Sequence, residues 1–163
     1  MNTRFIWILG LLGAAAVLGF GLFMQWGKHL ELDTKVMKVR AGAPADDTTI
    51  ALLDVRLENL SERTWVVNEV QFTVNTADGR QVEGIAVAQM DLKRLFESLP
   101  SLGQEFNPLL KSRDKLNPKS RTDRMFVFQL IGLKQADFDA RKSATLRITE
   151  LDGAIASIPI PRS

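Results

Sequence analysis

From Phe5 to Trp26 the chain reads FIWILGLLGAAAVLGFGLFMQW, 22 residues without a charge. At ~1.5 Å of rise per residue such a helix exceeds the ~30 Å hydrocarbon thickness of a bilayer, so the pattern predicts a spanning segment. Trp7 and Trp26 lie near its ends, where indoles favour the headgroup region. The period then changes to two. Leu30, Leu32, Val36 and Val39 alternate loosely over 31–40 and predict a first strand, followed by a loop in the small, Pro and acidic residues of AGAPADDTT, 41–49. Ala51, Leu53, Val55 and Leu57 alternate with Leu52, Asp54, Arg56 and Glu58, which predicts a half-buried strand over 50–59. After a turn at 59–63, Val70, Phe72 and Val74 share one face of a strand over 65–76. Asp78-Gly79 predicts a hairpin, because Gly tolerates positive φ, and Val82, Ile85 and Val87 carry the returning strand over 81–89.

Leu92, Leu95, Phe96 and Leu99 then fall at i, i+3, i+4 and i+7. This spacing predicts a short amphipathic helix from Asp91, as N-cap, to Leu99, stopped by Pro100. Residues 101–120, with Gly103, Pro108 and Pro118, predict a long loop with one helical turn. Phe126, Phe128 and Leu130 alternate with Met125, Val127 and Ile131, the pattern of a central strand buried on both faces over 124–131. A turn, helical in part, leads to strands over 143–150 and 154–160, separated by Leu151-Asp152-Gly153. About seven strands joined by short turns, without a βα repeat, predict a mainly β fold: an antiparallel, immunoglobulin-like sandwich with a short inserted helix. The expected divisions are an anchor at 1–27, a membrane-proximal strand and loop at 28–49, and the sandwich at 50–163. Residues 28–40 supply the sandwich's first strand and 91–120 are an insertion in it.

The order of anchor, linker and short-strand sandwich resembles the membrane-anchored immunoglobulin-like domains of uncharacterised bacterial envelope proteins. The resemblance rests on that order and on Asp78-Gly79, Phe126-Val127-Phe128 and Leu151-Asp152-Gly153. It implies an architecture alone, because the antibody-type Cys–Trp–Cys core is absent, and it assigns no site residue, because these pieces are generic sandwich punctuation.

A cleaved signal peptide competes with a retained anchor, since Ala14, Ala15 and Ala16 suit a peptidase. Val17, Leu18, Phe20, Leu22 and Phe23 continue the apolar run past that point, which favours retention. Small residues at Gly10 and Ala14, and at Ala15 and Gly19, have the spacing of a helix-mediated homodimer. Lys28, Lys35, Lys38 and Arg40 follow the anchor while Arg4 precedes it, which taken alone places the domain in the cytoplasm. An uncleaved anchor followed by a β-rich domain points the other way, and the expectation here is the periplasmic or extracellular side.

Composition narrows the function classes. Hydrophobic residues make up 45% and charged residues 25%, so roughly 135 residues after the anchor suffice for one core. The net charge of +2 argues against nucleic-acid binding, which needs a concentrated basic face. With no Cys, thiolate nucleophiles, iron–sulfur clusters and Cys-ligated zinc are excluded. His29 is the sole histidine, and the phosphate-loop, dinucleotide, hydrolase-elbow and zincin motifs are missing, so no enzyme activity, catalytic residue, metal or cofactor is expected. Asp46-Asp47 and Asp137 with Asp139 lack calcium-loop spacing, and nothing in the sequence places Glu97 beside Glu105. Asn59-Leu60-Ser61 matches the glycosylation acceptor pattern by three residues alone.

Two surfaces remain. Leu92, Leu95, Phe96 and Leu99, extended by Phe106, either cap the open end of the core or form a groove for a protein partner. Lys111, Arg113, Lys115, Lys119, Arg121 and Arg124, offset by Asp114 and Asp123, either flank a strand as solvated charge or bind an anionic surface. The sequence therefore predicts a non-enzymatic, single-pass envelope module making protein contacts through its insertion. The alternative is a lipid or small apolar ligand module, with the inserted helix gating a cavity between the sheets.

Overall fold

The alternation over 50–59 does form a strand, but one with almost no half-exposed face. The computed structural model describes residues 31–162, and the unit it defines begins at Glu31. The apolar run 5–26, its small-residue pairs, Lys28 and His29 lie outside the described residues. Among the described residues no helix is long and apolar enough to cross a membrane.

Eight strands follow one another: β1 Leu32–Ala45, β2 Thr48–Asn59, β3 Trp65–Asn75, β4 Gln81–Ala86, β5 Lys115–Leu116, β6 Arg121–Ile131, β7 Ser143–Glu150 and β8 Ile155–Pro159. Two helices join them, α1 Gln89–Ser98, followed by a 3-10 turn Pro100–Leu102, and α2 Gln135–Asp139. The strands pair antiparallel in the order β1-β2-β6-β4-β3-β7-β8, with β5 on β3, and curl into a half-barrel. The fold is mainly β, as the sequence predicts.

The curl is made by β4. It pairs with β3 from Phe72↔Gly84 to Asn75↔Gln81, then leaves and pairs with β6 at Ile85↔Gln129 and Ala86↔Phe128. One arm is therefore β1-β2-β6 and the other β4-β3-β7-β8. Between them Phe72 and Phe128 stack with ring centroids 5.0 Å apart. A Cβ on Gly84 would stand 2.9 Å from Phe128 Cβ and 3.1 Å from Phe72 Cδ1, so only a residue without a side chain lets β4 cross this pair.

Register assigns the faces of β2. Ala51, Leu53, Val55 and Leu57 point with Phe126 and Phe128 into the space between the arms, while Ile50 and Leu52 point outward with Val127. The outward residues are buried too, because α1 lies over them, so β2 is covered on both faces rather than half-buried.

Several expected boundaries move. The stretch 41–49 belongs mostly to β1 and β2, leaving Asp46 and Asp47 as the turn. Pro44 is tolerated because β1 is an edge strand and needs no N–H there. The helix starts at Gln89 after Ala88, without a side-chain cap, so Asp91 sits in its first turn rather than at the N-cap. The expected loop 101–120 contains the 3-10 turn, the short β5 and a parallel bridge between Leu109 and Met125. β6 begins three residues early, at Arg121, and the linking turn after Gly132 becomes α2.

The β3–β4 hairpin turns through Gly79 at φ +89°. There the Thr76 hydroxyl, which donates to Asp78, and then the Arg80 guanidinium hold the Asp78 carboxyl down at about 2 against an ordinary 3.8. A depressed folded-state value stabilises above pH 3.8 and is lost as pH falls through about 2. Asp78→Asn should therefore flatten the acid-unfolding curve between those two values and leave its slope above pH 3.8 unchanged. Gly84→Ala should destabilise by about 1–3 kcal/mol, read by denaturant unfolding, because the added methyl meets the aromatic pair.

Candidate functional site

The outer face of β1-β2-β6 is built in rows by the register: Gly42, Ile50 and Gln129; Arg40, Leu52 and Val127; Lys38, Asp54 and Met125; Lys35, Arg56 and Asp123; Asp33, Glu58 and Arg121. The first rows are apolar and the last are charged. The charged rows pair across the strands: Arg56 donates twice to Asp123, at 2.7 and 2.8 Å, and Arg121 donates to Glu58 at 2.8 and 2.9 Å. The Arg56 hydrogen bonds hold the Asp123 carboxyl below its ordinary range. Asp33, Thr34, Lys35, Arg56, Glu58 and Arg121 line a polar cleft of about 240 Å³.

The apolar rows are roofed by the insertion. Leu92 and Leu102 join Ile50, Leu52, Met125 and Val127 in one buried cluster, with Leu95, Phe96, Leu99 and Leu109 packed around it. Where the apolar and charged rows meet, Arg40 and Asp54 form a buried ion pair at 2.7 Å. The second Arg40 nitrogen donates to the carbonyls of Leu102 and, at 2.7 Å, Gln104, while Asn107 donates to the other Asp54 oxygen at 2.9 Å. Phe106 lies over the Arg40 guanidinium, 5.0 Å from its ring centroid, and Lys38 approaches the same ring at 5.2 Å. Five polar groups thus pin the insertion to the sheet: the Arg40 guanidinium, the Asp54 carboxylate, the Leu102 and Gln104 carbonyls and the Asn107 amide.

The predicted partner stripe is therefore consumed by the fold. Leu92 is buried, Leu95, Phe96 and Leu99 are half-buried, and only Phe106 is open, 59% exposed. Nor does α1 cap the open end of the core: it covers an outer sheet face, because that face of β2 and β6 is itself apolar. The predicted basic run is split by the register. Arg121 is tied to Glu58 and Lys119 to Glu62, and Arg124 is half-buried opposite Val55, on the other face of β6 from Arg121. Lys111, Arg113 and Lys115 stay together and exposed.

Two grooves flank α1. One, of about 410 Å³, is lined by Pro44, Ile50, Val87, Leu95 and Gln129, with Asp91 and Arg94 on its rim. Beside it Ile85 (57% exposed) faces Gln129 across the β4–β6 pairing, and Ile131 (56%) follows two positions later on the same face. The other, of about 470 Å³, runs between α1 and 103–105, and brings Glu97, Glu105 and Lys93 to one rim. A smaller pocket, of about 40 Å³, is lined by Val70, Ala86, Leu110, Phe126 and Phe128 among others.

Among the described residues no three His, Asp or Glu converge as metal ligands. Asp137 lies 3.9 Å from Arg80, and Asp46 and Asp47 are exposed in the β1–β2 turn. Asn59 is buried, its amide donating to the Arg63, Leu116 and Asn117 carbonyls, so the acceptor pattern around it serves the β2–β3 turn. The residues that sequence reading missed are Arg40, Asp54, Asn107, Ile85 and Ile131. Asp54 alone left a signal, a carboxylate in mid-strand among apolar neighbours.

No family model and no curated protein matches the chain. Solved structures with some likeness include a candidate lipoprotein of Bacillus subtilis, at 12% identity and TM-score 0.49, covering 80% of this chain and 36% of that one. This chain thus spans about a third of that protein's length. A candidate ApaA protein of Bordetella pertussis shares 16% identity at TM-score 0.39, with 82% and 91% covered. A functionally unknown protein from Listeria monocytogenes shares 10% at TM-score 0.37, with 82% and 90% covered. At these scores the likenesses carry no argument about function.

Removing one partner of the pin strands a buried charge. Arg40→Met should cost about 3–5 kcal/mol in urea unfolding, and Arg40→Met with Asp54→Leu should cost much less than the sum of the two single changes.

Proposed function

We propose that this chain is a single-pass, membrane-anchored sandwich of the immunoglobulin-like kind, and that it works by holding a protein partner rather than by catalysis. The observation that carries the reading is the apolar groove between α1 and the β1–β2 turn, with Ile85 and Ile131 exposed beside it. Contiguous exposed apolar surface is costly in water and marks contact sites. Gly42, at that end of β1, lies ten residues from Leu32, or roughly 33 Å at ~3.3 Å per residue, so the groove faces away from the point where the described domain begins.

The immunoglobulin-like reading rests on strand order. The pairing order β1-β2-β6-β4-β3-β7-β8 supports it if β1, β2 and β6 are read as strands A, B and E, and β4, β3, β7 and β8 as C′, C, F and G. In this reading α1 belongs to the crossing from C′ to E. The cell-envelope placement, with the domain outside the cytoplasm, rests on the uncharged run 5–26 and on the architecture the chain resembles. For the ligand-cavity alternative, the pocket beside Phe126 and Phe128 offers about 40 Å³.

A photo-crosslinking side chain at Ile131 in the intact membrane protein should give a discrete adduct, and one at Ser157, on the outermost strand of the other arm, should not. Ile85→Glu with Ile131→Glu should abolish that adduct from a probe at Pro44 while changing stability by less than about 0.5 kcal/mol. Identical adducts from every probe, or none, would sink the proposal.

A further inference from the structure

We infer that the turn carrying Lys111, Arg113 and Lys115 docks on the headgroups of an anionic lipid leaflet. All three side chains are exposed. Unlike Arg63, Lys119 and Arg121, they pair with no carboxylate among the described residues.

The turn that presents them is fixed from beneath. The Arg113 N–H donates to the Val67 carbonyl at 2.6 Å, Ser112 Oγ to the Asn68 carbonyl at 2.9 Å, and Asp114 spends its carboxylate on the Lys111 N–H at 3.0 Å. This geometry holds Arg113 at φ +68°, a conformation that glycine adopts without strain and other residues do not. The other non-glycine residue with positive φ among the described residues is Lys119, at +51°, in the same loop. At both places a cation sits where the backbone favours glycine, and of the two only Arg113 is without a carboxylate partner among the described residues.

The loop also ends at the right place. Lys119 N–H donates to Ser61, and the neighbouring Leu60 N–H donates to Glu31, the first described residue. The inference rests on the anchored reading above, in which 5–26 spans a bilayer and four residues of sequence separate it from Glu31. Each basic side chain close to an anionic leaflet favours docking about fivefold, so the turn, with Asp114 offsetting one of three cations, favours it roughly 25-fold, and molar salt removes the effect by shortening the Debye length to ~3 Å.

The chain has no cysteine, so Asn117→Cys places a single fluorophore on the loop, and Ala77→Cys places one past the opposite end of β3. The full chain is reconstituted in vesicles of phosphatidylcholine alone or mixed with phosphatidylglycerol, and energy transfer to a headgroup acceptor is measured. Transfer from position 117 should rise with phosphatidylglycerol while that from position 77 does not. The rise should vanish in molar salt and in Lys111→Gln/Arg113→Gln/Lys115→Gln, and survive in Lys111→Arg/Arg113→Lys/Lys115→Arg. Equal transfer in both lipids, or a rise indifferent to the glutamine variant, overturns the inference. Alkaline carbonate extraction reads the anchor separately: if the chain is extracted while the phosphatidylglycerol response persists, the anchored reading fails and the docking stands.

Discussion

A carboxylate in the middle of an apolar strand must be answered, and the answer to Asp54 organises one whole side of this molecule. Arg40 reaches it from the edge strand, but the guanidinium has more donors than one carboxylate can use, and the surplus falls on the Leu102 and Gln104 carbonyls. Asn107 closes the ring on the other carboxylate oxygen. Two strands and a crossing segment distant in sequence thereby become one polar unit inside an apolar surround, where each member would be expensive alone. The long crossing between β4 and β6 is on this account a wall of the domain, and the hydrophobic residues beneath it are a second core.

The first core depends on a different constraint. Two aromatic rings at Phe72 and Phe128 fill the space where the arms approach, and the strand crossing them has to be thin. Gly84 supplies that thinness, and β4 then changes partners within two residues. One side of the barrel is closed by this transfer and by β5, which takes up the β3 edge where β4 has left it. The unpaired edges that remain belong to β1, studded with Lys35, Lys38 and Arg40, and to β8, which ends at Pro159. Charge and proline at these positions discourage sheet-to-sheet addition.

What could be read in the sequence was whatever is decided locally. Both glycine turns, at Gly79 and Gly153, take the positive φ their neighbours imply, and β7 falls where its alternation puts it. Residues 41–45 read as a loop because Gly, Ala and Pro have weak strand preference, yet an edge strand tolerates them when one neighbour supplies the pairing. The apolar stripe of α1 was legible as a stripe, but its destination was not. A helix period says that one face is buried and is silent on which surface buries it. The pin was hidden for the same reason: Arg40, Asp54 and Asn107 meet across 67 residues of chain, and only Asp54 looked out of place alone.

The direction of β1 has a mechanical consequence. The chain enters at Leu32, at one end of the sheet, and β1 runs the length of β2 through eleven aligned residue pairs before turning at the groove end. Tension applied between residue 32 and something gripped at that far end would therefore pull β1 lengthwise along β2. In that geometry the ladder is loaded in shear, its hydrogen bonds sharing the force instead of opening one at a time as a peeled strand would.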